Sequence, residues 1–264
     1  ETFKNFPKFL NSCEISIYEK SLYLKAIQKK KLKGHKIKWI KSLDEINKNP
    51  IIFIANEFFD ALPIKQYLKI KNNWMERYVD ILDEKKLKFF YKKININLVE
   101  KKIGFKISQN QKIIELSPLS LKYFKLISKK LSISNGGILI IDYGYLGSLM
   151  KNTLQSIYKH KKNNLFENFG HADITHLVNF DLLKKISKKH NLKIQGITTQ
   201  RKFLINMGIL KRAEIISKNV KFTDKANIYF RLKKLIDNNE MGKLFKFMLL
   251  TNNNIKFTTG FKVD

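Results

Sequence analysis

Ile51-Ile52-Phe53-Ile54-Ala55-Asn56-Glu57-Phe58-Phe59-Asp60-Ala61-Leu62-Pro63 is the stretch that decides the fold. An apolar run stops at an amide and an acid, and a second acid follows three positions on. A short, uninterrupted apolar run reads as a strand buried on both faces, as in a parallel sheet. Ligands bind at the carboxyl ends of such strands in open α/β sheets. Asn56, Glu57 and Asp60 are therefore candidate site residues. The same pattern also suits a strand leading into a helix, with Asn56 or Asp60 as its N-cap.

The flanking sequence repeats this theme. Upstream, Ile15 to Glu19 reads as a short strand closing on an acid, Leu22 to Lys33 as a helix, and Ile37 to Ile40 as a further strand. Asp44 to Lys48 reads as one helical turn. This alternation points to βαβ units. From Ile64 the texture changes. Gln66 to Lys71, Trp74 to Leu82 and Leu87 to Tyr91 alternate apolar and polar, with turns at 71–73 and 83–86, as expected of an antiparallel excursion. Glu115-Leu116-Ser117-Pro118 opens a helix, with Ser117 as N-cap and Pro118 at the first helical position; Asn135-Gly136 closes it. Gly137 to Gly144 is a second buried strand that ends on Asp142 and Tyr143. Residues 145–179 keep no clean period and read as a lid. A helix from Phe180 to His190, a strand at 192–196, helices at 198–207 and 224–235 and a strand at 244–250 complete the chain.

Composition bounds the function. The 264 residues are 44% hydrophobic, enough for a substantial core. The net charge of +30 invites a nucleic-acid reading. Against it, arginine occurs only at Arg77, Arg201, Arg212 and Arg231, and the lysines are spread along the whole chain. Nucleic-acid binders gather charge and use arginine forks, so no stable nucleic-acid partner is expected. Cys13 is the single cysteine, which excludes an intrachain disulfide and suits a reducing compartment. His35, His160, His171, His176 and His190 show no metal-ligand spacing, so no metal is expected. No apolar run approaches the ~20 residues that span a bilayer.

Taken in order, several pieces resemble one family. They are Ala55 to Pro63; Trp74-Met75-Glu76-Arg77; Glu115 to Pro118; Gly136-Gly137 through Ile141-Asp142-Tyr143-Gly144; Thr153-Leu154-Gln155; Ala172-Asp173-Ile174-Thr175 with Val178 and Phe180; Gly196 to Gln200; and Met241 to Lys246. This ordered set, covering nearly all of the chain, is similar to the MidA family, the complex I assembly-factor protein-arginine methyltransferases. The resemblance implies an α/β fold of the class I methyltransferase type: a Rossmann-like, mostly parallel sheet in one domain over 1–264, with insertions at about 64–112 and 145–179. It implies S-adenosyl-L-methionine as cofactor and a protein substrate, which in mitochondria is a core subunit of respiratory complex I. The expected compartment is the cytoplasm of a bacterium or the mitochondrial matrix. The family's first strand and glycine-rich loop would lie upstream of Thr2, so the expected activity belongs to the full-length protein. Relatives often carry histidine at the position of Leu177, next to His176.

The resemblance also implies roles. Glu19 would bind the donor's ribose hydroxyls, as the acid does in dinucleotide folds, with the turn at Ser42 and Leu43 beside the adenine. Glu57 and Asp60 would be the catalytic pair, gripping a guanidinium through paired carboxylates. Asn56 would orient Glu57 or touch the donor. Asp142, Tyr143, Gln155, Asp173 and Thr175 would line the acceptor side. Blander roles fit the same residues: Glu57 paired to a lysine, Asp142 satisfying loop amides, and Gln155, Asp173 and Thr175 anchoring loops. Trp74 and Arg77 are expected to pack within the excursion, and Gln200 and Phe203 to support the core. A non-catalytic assembly chaperone on the same fold is the competing reading, with an RNA-associated methyltransferase behind it.

Overall fold

The computed structural model describes residues 5–83, 86–252 and 257–261. The chain forms two compact units, Glu1–Asn49 and Pro50–Asp264. In the first, β1 (Ile15–Tyr18) pairs in parallel with β2 (Ile37–Ile40) across the helix Leu22–Lys31. Ser21 caps that helix by accepting the Leu24 N–H. The single turn expected at 44–48 is a 3₁₀ turn at Leu43–Glu45, closed by a capping box between Ser42 and Glu45.

The second unit is built on β3 (Ile51–Asn56), which pairs in parallel with β8 (Gly136–Tyr145) from Ile51↔Gly136 to Asn56↔Ile141. Further along β8, the short β12 (Val178–Asn179) pairs in parallel. On the opposite edge of β8 lies β14 (Phe245–Thr251), antiparallel to it and to β13 (Lys193–Thr199). Only β14 runs against the rest, so the sheet is mostly parallel, as expected. The core follows its middle: Ile138, Ile140, Phe245, Phe247, Met248 and Leu250 are all buried. Gly136 joins the helix Pro118–Ser134 to this sheet with φ +118, and a Cβ there would sit 1.9 Å from the Ile51 carbonyl oxygen. Only glycine can make that approach.

One expectation is corrected. β3 is not buried on both faces: Ile52 and Ile54 are 75% and 70% exposed. Within this unit β3 is an edge strand bonded to β8, and only its Ala55 side is closed over. Nor does a helix follow it. The chain turns through 57–62 and enters β4 (Lys65–Ile70), so neither Asn56 nor Asp60 is a helix cap.

The antiparallel excursion is a four-stranded sheet, β6 (Lys86–Lys93), β5 (Asn73–Asp83), β4 and β7 (Ile113–Leu116). Lys71 and Asn72 both take positive φ between β4 and β5, as a two-residue hairpin of this twist requires. The turn expected at 83–86 includes residues 84 and 85, which lie outside the described residues. Arg77 packs inside the sheet as expected, with its guanidinium 4.2 Å from the Phe89 ring and its Nε donating to Gln66. Phe203 stacks on Phe247 and Gln200 donates to the Leu235 carbonyl, both in supporting roles. Three helices were not anticipated, Ile96–Ile103, Ile209–Ile216 and the short Met241–Leu244.

The first of these carries a buried acid. Glu100 accepts the Ile107 and Ser108 N–H groups and the Ser108 hydroxyl, each at 2.8 Å, and lies 3.0 Å from Lys106 Nζ. Burial opposes its charge, but these donors prevail and hold its pKa at about 2. Its folded pKa lies below the unfolded value, so its stabilisation is present above about pH 4.5 and lost as pH falls toward 2. Glu100→Ala should cost about 2–4 kcal/mol at pH 7 and far less near pH 2, as read by urea unfolding at the two pH values.

Candidate active site at the carboxyl ends of β3 and β8

β3 delivers its last side chains where β8 ends. The Glu57 N–H still donates to the Ile141 carbonyl at 2.9 Å, then Glu57 breaks the strand with φ +47. A left-handed non-glycine residue costs of order 1–2 kcal/mol and is concentrated at functional sites. Glu57 is exposed, and Asn56 Nδ2 approaches its carboxylate at 3.4 Å. The turn beyond is pinned by aromatic packing: Phe59 is buried against Phe124, and Phe58 lies edge-on to Tyr123.

Asp142 stands behind the turn. It is fully buried and accepts the Phe59 N–H at 2.9 Å and its neighbour Tyr143's at 3.0 Å. The Asp60 carboxyl lies close enough for the two acids to influence each other's charge. Burial first, then the charge on Asp60, pushes Asp142 up to about 8. Asp60 is raised by burial first and by Glu57 next. Near neutral pH the two acids therefore hold a proton between them. The Tyr143 ring lies 4.0 Å from Phe245, and its hydroxyl is raised by burial, then by Glu57, Asp60 and Asp142. Glu57, Asp60, Asp142 and Tyr143 thus form one electrostatic cluster.

The chain carries 52 lysines and arginines. Even so, among the described residues no ion pair joins Glu57, Asp60 or Asp142 to any of them. The lysine pairing considered for Glu57 is not made. No described cluster of histidine, cysteine, aspartate or glutamate is arranged for a metal ion. The arrangement suits a cation arriving from outside.

Beside the cluster is a cavity of about 240 Å³, lined by residues 60–64, Leu154, Ile174, Thr175 and His176. Its far wall comes from the lid. That segment folds as a small sheet of β9 (Gln155–Tyr158), β10 (Lys161–Asn163) and β11 (Asp173–Thr175). Thr175 reaches the cavity; Gln155 is one step back, donating to the Thr175 hydroxyl at 3.3 Å. Asp173 is exposed at the start of β11 and does not line it. Asp142 serves the loop amides rather than an open surface, because both oxygens already accept N–H groups.

Two residues gain importance only here. Glu115 is buried at the end of β7 and accepts the Thr153 and Leu154 N–H groups and Gln66 Nε2. It ties down the segment that brings Leu154 to the cavity. Its signal in the sequence was the one that marks β3 and β8, an acid closing an apolar run. His176 is buried too, and its N–H donates to the Asp60 carbonyl at 3.2 Å.

In the first unit, Glu19 follows β1 and is half-buried. One oxygen accepts the Ser21 N–H at 2.8 Å and the other accepts Gln28 Nε2 at 3.1 Å; Gln28 in turn accepts from Trp39 Nε1. Each carboxylate oxygen keeps a second acceptor site. A held carboxylate of this kind, at the end of a parallel strand, fits a vicinal diol such as a ribose.

Comparison with known proteins bears on the family and the fold. The chain is 29% identical over 273 residues to the protein arginine methyltransferase NDUFAF7, mitochondrial, of Xenopus laevis, covering 93% of this chain and 61% of that relative. It is 34% identical over 182 residues to the Caenorhabditis elegans homologue, covering 68% of this chain and 42% of the relative. Two solved COG1565 superfamily structures from Burkholderia thailandensis share the fold. One has a TM-score of 0.78 at 23% identity, covering 94% of this chain and 68% of that one. The other, bound to S-adenosyl-homocysteine, has a TM-score of 0.75 at 21% identity and covers 95% and 65%. Residues 1–198 match the family described as "Putative S-adenosyl-L-methionine-dependent methyltransferase". An α/β sheet with its acids gathered at the carboxyl ends, together with a match over most of its length, makes this chain a member of that S-adenosylmethionine-dependent methyltransferase family.

Proposed function

We propose that the full-length protein methylates an arginine side chain of a protein, with Glu57 and Asp60 holding the guanidinium. The observation that carries this reading is the unneutralised acidic cluster at the ends of β3 and β8. S-adenosylmethionine supplies an electrophilic methyl carbon to enzymes that bind it. The residues here must desolvate the acceptor cation, hold it flat and draw its charge toward one end. Two carboxylates on one turn do this through charge-assisted hydrogen bonds. Asn56 steers Glu57, Asp142 sets the turn that presents Asp60, and Tyr143 walls the acceptor side. Thr175 borders the acceptor cavity and Gln155 braces it, while Asp173 contacts the substrate chain farther out. Glu19 holds the donor's ribose hydroxyls. The similarity to protein arginine methyltransferases supports arginine as the acceptor. The family resemblance makes a respiratory complex I subunit the first substrate to try.

The test uses full-length protein, S-adenosylmethionine labelled in its methyl group, and arginine-containing peptides from complex I subunits. The expected result after hydrolysis is label in methylarginine. Label in lysine or histidine, or none in protein, would overturn the reading.

A further inference from the structure

Asp60 and His176 are 5% and 9% exposed. Among the described residues, Asp60 Oδ1 and His176 Nε2 are both buried without a hydrogen-bond partner. Both residues line the same cavity and are tied together through the His176 N–H and the Asp60 carbonyl. A buried polar atom left unpaired costs about 1–3 kcal/mol. Both belong to residues that line one cavity, so a ligand there that reached the two atoms would satisfy both.

The tautomer says what kind of ligand. His176 Nδ1 lies 3.4 Å from the Leu177 carbonyl, which can only accept, so the hydrogen bond assigns the proton to Nδ1. Nε2 is then an acceptor, as is an ionised Asp60 Oδ1. A cavity with two acceptors needs a ligand with two donors. Its other walls, including Leu62, Pro63, Leu154 and Ile174, are apolar, and Ile174 is 52% exposed at the rim. An aliphatic stem ending in a flat cation with several N–H groups fits that shape and polarity.

We propose that this cavity seats the acceptor arginine, with Asp60 Oδ1 and His176 Nε2 accepting from its guanidinium and His176 Nε2 taking the proton released on methylation. The proposal rests on the arginine reading above. A guanidinium nitrogen forms its bond to the methyl carbon as the carbon–sulfur bond breaks, and the electron pair stays on sulfur as a neutral thioether. The nitrogen's proton passes to Nε2, leaving a neutralised pair of imidazolium and Asp60 carboxylate. Asp60 faces His176 from the turn after β3, while Glu115 on β7 and Tyr145 on β8 share its second flank.

The test uses the full-length protein without methyl donor, titrated with N-acetyl-arginine amide and, separately, with N-acetyl-lysine amide. Arginine should bind at least tenfold more tightly than lysine. The His176 imidazole signals, identified by their loss in His176→Gln, should move as arginine is added to the wild type, a readout that requires no variant to fold. Asp60→Asn and His176→Gln should each weaken binding by about tenfold or more, the worth of one charge-assisted hydrogen bond. Unmoved His176 signals, equal binding of lysine, or unchanged binding in both variants would overturn the proposal. Methyl transfer is scored separately. Wild-type methylarginine formation by His176→Gln refutes the proton role and leaves the proposed function standing. Tight arginine binding with no methylarginine refutes that function and leaves the cavity assignment intact.

Discussion

Glu57→Gln in the full-length protein should lower methyl transfer to arginine about 10²–10⁴-fold while leaving the fold in place. The size follows from removing a preorganised charged group at the reacting centre. The side chain is exposed and makes no ion pair among the described residues, so stability should change by no more than about 0.5 kcal/mol. Glutamine keeps the length, the approach of Asn56 and the φ of +47, so only charge is lost. A second readout is electrostatic. Glu57 raises both Asp60 and Tyr143, so both should titrate lower in the variant. Single-turnover transfer gives the first quantity and a spectroscopic Tyr143 titration the second. Wild-type turnover in a folded Glu57→Gln protein would remove Glu57 from the chemistry.

Asp142→Asn should reverse part of the pH dependence of stability. Folded Asp142 titrates at about 8, against roughly 3.9 in an unfolded chain. Between those values the folded chain keeps a proton that the unfolded chain has released. Stability therefore falls as pH rises through that window, by at most about 1.4 kcal/mol per unit. Asparagine abolishes the titration but has one acceptor oxygen where Asp142 uses two, so the Phe59 or the Tyr143 N–H loses its partner. Near pH 5 the variant should be less stable by about 1–3 kcal/mol. The gap should narrow toward pH 8.5 and can change sign. Urea unfolding at pH 5, 7 and 8.5 measures it. Parallel profiles for wild type and variant would show that the carboxyl pair does not hold its proton in this way.

Much of the fold was legible because backbone periodicity and end-caps are local. Ile37–Ile40 and the Ser117-Pro118 helix start are where the residues put them, and the alternating runs after Ile64 became the four-stranded sheet. The helix Ile96–Ile103 was missed because its acid, Glu100, points inward to satisfy a following loop, which blurs the usual apolar stripe. The exposure of Ile52 and Ile54 was also missed. An apolar run reports an appetite for burial, whereas what covers it is decided by other segments.

Local chemistry written along the chain was enough to specify an α/β sheet whose strands end on acids, and to single out Glu57, Asp60 and Asp142. Assigning those acids different work required the folded molecule. Glu57 stays in water, Asp142 spends both oxygens on amides, and Asp60 shares a proton, keeps one buried oxygen unpaired and lines a cavity with His176 from a distant segment. Desolvation and unpaired hydrogen-bonding capacity arise only when remote segments exclude water together, so no window of neighbouring residues can encode them.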